Sequence, residues 1–122
     1  MRIFRFDREV GKPVEGLEND NYILSRIIVD ESPETLNLVS AHFDSGDSTG
    51  RQQVMISQLF LVVQGEGWVS KDNGEKVSIS AGHAPFWATG EWHEVGTDTG
   101  MVAIILESPA LNPAAFMPEL KI

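Results

Sequence analysis

The chain contains no cysteine, which excludes disulfides, thiolate metal centres and a cysteine nucleophile. Basic residues are scarce too. Nine Lys and Arg stand against eighteen Asp and Glu, a formal net charge of −9, and the nine are scattered with no run of them. Attraction to phosphate supplies most nucleic-acid affinity, so neither nucleic acid nor an anionic membrane is expected as a partner. No apolar run approaches the ~20 residues that span a bilayer; LFLVV, at 59–63, is far too short. The start, MRIFRFDREVG, has charges where a secretory leader needs an apolar stretch, so a cytoplasmic location is expected. Amphipathic helical periodicity of useful length is absent before residue 108, and with it a helix-turn-helix.

Short strand-like segments punctuated by turns are what the chain does have. Its 122 residues fit one domain that buries about two-thirds of its unfolded surface, enough for one small barrel. RIFRF alternates like a short edge strand, and the turn-rich, acidic GKPVEGLEND follows it. YILSRIIV reads as a strand stopped by ESPE, and LNLVSAHF as one stopped by DSGDSTG. QQVMISQLFLVV runs to a glycine corner at Gly65 and Gly67, beyond which lies WVSKD. Asn73-Gly74 predicts a type I′ hairpin, with positive φ at both central residues. VSIS, APFWA, WHEVG and MVAIILE complete the series. Turn signals at intervals of roughly 8–12 residues are the pattern of an all-β sandwich or barrel.

The tail, SPALNPAAFMPELKI, carries three prolines and cannot continue a central strand, yet it holds Leu111, Phe116, Met117 and Leu120. Residues 1–107 are therefore assigned to the barrel and 108–122 to a Pro-rich arm. The arm packs either on its own barrel or on a second subunit, and a homodimer is the expected assembly.

Two segments, 46–69 and 81–100, resemble the two motifs of a cupin. The first motif, G(X)5HXH(X)3-4E(X)6G, aligned on Gly46 and Gly65, places its ligand positions at Gln52, Val54 and Gln58. The second, G(X)5PXG(X)2H(X)3N, starts at Gly82 and puts Ala88, Gly90, His93 and Thr97 at its four marked positions. The phrasing is similar to that of small single-domain, RmlC-like bacterial cupins. This resemblance implies an all-β cupin double-stranded β-helix, a jelly-roll barrel, whose metal-binding motif is degenerate, since His93 is the one motif ligand that survives. Cupin metal sites use imidazoles and a carboxylate to hold Fe, Mn, Ni, Zn or Cu, and neutral amides are weaker donors.

The expected function is the binding of a small-molecule ligand in the barrel cavity, with no strongly held metal and no cofactor. Gln52, Gln58, Phe60, His93 and His42 are the candidate binding residues. The alternative is a metal-dependent enzyme, a dioxygenase or isomerase, using His93, Gln58 and Gln52 with a ligand from outside the motifs such as His42, whose direction the pattern leaves open. Acid-base chemistry with His93 as base lacks an identifiable second group, so no catalytic residue is assigned. Period two sets Gln58, Phe60 and Val62 on one face. Trp68 and Trp87 are read as core fillers, Trp92 as facing away from the cavity, and Glu91 and His83 as surface residues.

Overall fold

The structure is a computed structural model and describes residues 1–13, 23–28 and 36–121. Most of GKPVEGLEND, all of ESPE and the ends of YILSRIIV lie outside the described residues. In chain order the strands are β1 (Arg2–Arg5), β2 (Lys12–Pro13), β3 (Ile23–Leu24), β4 (Asn37–Phe43), β5 (Gln52–Gln53) and β6 (Gln58–Ser70). They continue with β7 (Lys76–Ser80), β8 (His83–Trp87), β9 (Trp92–His93), β10 (Val95–Gly96), β11 (Met101–Glu107) and β12 (Glu119–Leu120). Short 3-10 turns occupy Arg8–Val10 and Pro113–Ala115.

The main sheet runs β12-β1-β8-β6-β11-β4, with β7 and β10 joined to the far half of β6, and all its pairings are antiparallel. LFLVV is apolar without alternation because β6 is covered on both sides. Phe60 and Val62 enter an inner core with Ile3, Val54, Trp87, Val95 and Met101. Leu59 and Leu61 enter an outer core with Phe4, Ala84, Leu106 and Met117.

Expectation and structure agree on most strands, and four local readings are corrected. First, the glycine corner bends one strand and does not end it. β6 pairs with β11 as far as Gly65, then with β7 from Glu66 to Ser70. A register shift opposite Val102 and Ala103 leaves Val63 without a partner across the pair, a bulge that redirects the strand. Gly65 has φ +84°, and a Cβ there would stand 2.4 Å from the Gly100 carbonyl oxygen, so only glycine fits.

Second, the hairpin after β6 is not type I′. No non-glycine residue described has positive φ. Gly74 N–H donates to the Lys71 carbonyl at 2.8 Å and Gly74 alone has φ +86°. This is a type I turn followed by a left-handed glycine, with the Asn73 side-chain oxygen accepting from Glu75 N–H at 2.9 Å. Third, among its described residues YILSRIIV supplies a two-residue strand, paired with Lys12 and Pro13; Ile27 and Ile28 pack against the outer core instead. Fourth, β1 is not an edge strand, because β12 pairs with it, Ile3 opposite Leu120. Within the chain the arm places Met117, only 4% exposed, in the outer core, and the Arg5 N–H donates to the Pro118 carbonyl at 3.0 Å.

Candidate functional site

His93 reaches the interior through strand alternation on β9. Trp92 turns outward, 39% exposed with the Arg51 guanidinium 4.7 Å above its ring, and His93 turns inward, 6% exposed. The imidazole stacks on Trp87 of β8, ring centroids 4.4 Å apart and planes inclined by 28°. Trp87 is fully buried. Neither His93 Nδ1 nor Trp87 Nε1 has a hydrogen-bond partner among the described residues, although both atoms are sealed from solvent. Burial lowers the His93 pKa below its ordinary value, because removing water penalises the imidazolium. His93 is therefore neutral in the folded protein near pH 7.

Gln58 stands directly opposite Trp87 in the β6–β8 pairing and is half-buried. Phe60, two residues on, packs edge-on against Phe43 with centroids 6.0 Å apart. The predicted common face of Gln58, Phe60 and Val62 therefore faces the inner core. Gln52 pairs with His93 across β5–β9, yet its side chain is exposed and its amide donates to the Thr49 carbonyl at 3.4 Å. It stands at the rim, apart from the buried rings. Val54, at another motif position, contributes only apolar volume to the inner core.

His42 does not join this group. It lies opposite Val102 on β4, and its neighbour Phe43 packs against the inner core. Alternation then sends His42 to the other face of the sheet, where it is exposed. The expectation of His42 as an inward ligand is thereby corrected. Glu91 is also not free in solvent. It accepts from Ala88 N–H at 3.0 Å through one carboxylate oxygen and from the Met1 ammonium through the other. His83 is half-buried and accepts from Ser80 N–H at 3.1 Å through Nδ1. Thr97, at the motif-two asparagine position, is structural: its hydroxyl donates to the Glu66 carbonyl at 2.6 Å and accepts from Gly100 N–H at 2.9 Å.

The sequence matches no family model and no curated protein sequence. Among solved structures, an RmlC-like cupin from Shewanella frigidimarina is 32% identical, aligned over 62% of this chain and 67% of that one, with a TM-score of 0.57. The chain belongs to the RmlC-like cupins. A cupin-superfamily protein from Desulfitobacterium hafniense shares the cupin fold at 15% identity, covering 85% of this chain and 97% of its own, TM-score 0.57. So does a mutant salicylate 1,2-dioxygenase from Pseudoaminobacter salicylatoxidans, solved with gentisate, at 23% identity over 70% of this cupin and 24% of the dioxygenase, TM-score 0.55.

Among the described residues no three His, Cys, Asp or Glu side chains come together as ligands. One neutral imidazole and one half-buried carboxamide bring no negative charge to offset a divalent cation. Trp87 is the participant that sequence reasoning missed. Its burial was expected, but its unpartnered N–H shows only in the folded chain, where the His93 ring stacks on the indole.

Proposed function

We propose that this cupin binds a small oxygen-bearing molecule inside its barrel, beside Trp87 and His93, without a strongly held metal. The pair of buried nitrogens lacking a protein partner carries this reading. A buried polar group left unpaired costs about 1–3 kcal/mol, so a ligand that satisfies both gains on the order of that for each. The indole N–H only donates, and a neutral imidazole offers one donor and one acceptor nitrogen. A hydroxyl, carbonyl or carboxylate oxygen answers the indole, and a hydroxyl can also answer either tautomer of the imidazole. Gln58 adds an amide at the edge of the same face, and Phe60 and Val62 supply an apolar wall. A few placed polar groups over an apolar lining is the general form of a small-molecule pocket. Val54, Phe60 and Met101 belong to the same packed inner core, so the proposed ligand is a compact one.

The test has two arms on tag-free protein. Metal content is measured by elemental mass spectrometry after supplementation with Fe, Mn, Ni, Cu and Zn, and tryptophan emission is followed during titration with gentisate, salicylate and benzoate. The expected result is metal far below one per chain and a saturable response to at least one acid. That response weakens about tenfold or more in His93→Ala and is unchanged in His83→Ala. Near-stoichiometric metal that is lost in His93→Ala overturns the reading, as do equal effects of the two substitutions.

A further inference from the structure

We propose a second binding site on the outside of the barrel, a groove between β1, the β2–β3 pair and the C-terminal arm, that takes a small amphipathic anion. The groove encloses about 630 Å³, within the range of ligand pockets. Neither His93, Trp87 nor any other buried residue of the inner core lines it.

Its charge departs from that of the molecule. Acidic residues outnumber basic ones by eighteen to nine, yet the described lining carries Arg5, Lys12 and Arg26 and no carboxylate. Three of the nine cationic side chains thus meet at one concavity, although they are far from consecutive in the sequence. Arg5 is held in place: its Nε and Nη2 donate to the two Asp7 carboxylate oxygens at 2.9 Å each, and Nη2 also reaches Glu9 at 3.4 Å. Its charge is offset by these two carboxylates, so it forms a fixed wall, and the attraction for an anion is assigned to Lys12 and Arg26. A guanidinium offers paired N–H groups that match the two oxygens of a carboxylate or phosphate, and Lys12 adds a point charge. The Ser25 hydroxyl also lines the groove.

The rest of the lining is apolar. Leu24 is 52% exposed and Phe116 38% exposed, with Val10 and Pro118 beside them. Apolar surface left open next to clustered cations favours a ligand with a charged head and a short alkyl or aryl body, since covering it gains roughly 25 cal/mol per Å². Low-dielectric walls concentrate the field of the cations at the mouth.

The test is amide-resolved NMR titration of the full chain with octanoate, octyl phosphate and octanol at fixed ionic strength. The expected result is saturable shifts at Lys12, Arg26 and Phe116 with one or both anions and none with octanol; the stronger anion identifies the head group. Lys12→Gln/Arg26→Gln weakens that affinity about tenfold or more, each single variant loses part of it, and the resonances around His93 stay in place. No saturable response to either anion up to about 10 mM, an equal response to octanol, or shifts confined to the surroundings of His93 overturns the proposal. So does binding to phosphatidylglycerol vesicles without any response to free octyl phosphate.

Discussion

His93 and Trp87 each place a nitrogen where water does not reach, and the imidazole does so as a titratable group. Its folded pKa lies below the ordinary 6.5 because burial disfavours the charged form. As pH falls below about 6.5 the unfolded chain takes up a proton that the folded chain refuses. Stability is therefore intact above that pH and declines as pH drops toward the folded pKa. Urea midpoints measured at several values between about pH 5 and 7.5 should show this decline in the native protein and a shallower one in His93→Gln, which has nothing to titrate. Asp7, whose pKa is lowered by its hydrogen bonds from Arg5, acts in the same direction but only below its ordinary 3.8, so the two contributions separate in pH. An unchanged slope in His93→Gln would mean that His93 titrates alike in both states.

At the scale of elements, the C-terminal arm adds an edge strand to the sheet. Two residues of β12 pair with β1, and the anchoring side chain is Met117, buried among Phe4, Leu59 and Leu106. Met117→Ala should cost about 2–5 kcal/mol, the range for truncating a large buried side chain, as read by equilibrium denaturation. The Arg2–Glu119 ion pair, 2.6 Å long but with both side chains nearly half exposed, should contribute less than about 1 kcal/mol. A loss below roughly 0.5 kcal/mol in Met117→Ala would contradict the packing of the arm on its own barrel, because that is the scale of an ordinary surface change.

For the whole molecule, a net charge of −9 over 122 residues sets up a self-repulsion that opposes the compact state. The ion pairs formed by Arg2, Arg5 and Lys71 are all substantially exposed and offset little of it. Raising NaCl from about 0.05 to 0.5 M shortens the Debye length several-fold. The thermal midpoint should then rise by a few degrees, on the order of ~1 kcal/mol for a chain of this size. A fall in the midpoint would mean that specific ion pairs outweigh the repulsion.

Strand alternation made much of the barrel legible in the residues. β4, β7, β8 and β11 lie where short apolar runs between turn signals placed them, and the face shared by Gln58, Phe60 and Val62 follows from period two alone. The motif spacing likewise located His93 and the glycine bend, because close backbone approach and positive φ require glycine at Gly65. Other features are relations between distant segments. In LNLVSAHF both faces carry apolar residues, so only the pairing of β4 with β11 decides that Phe43 faces in and His42 out. The unpartnered Trp87 nitrogen depends on what lies beside the indole once the His93 ring stacks on it, and the groove joins residues 5–13 and 24–26 to 115–118. Local periodicity determined the strands by itself, because backbone geometry repeats along the chain, and resemblance supplied the motifs. Tertiary packing decided which face became interior and which polar atoms lost their water, because burial depends on neighbours that are not close in the sequence.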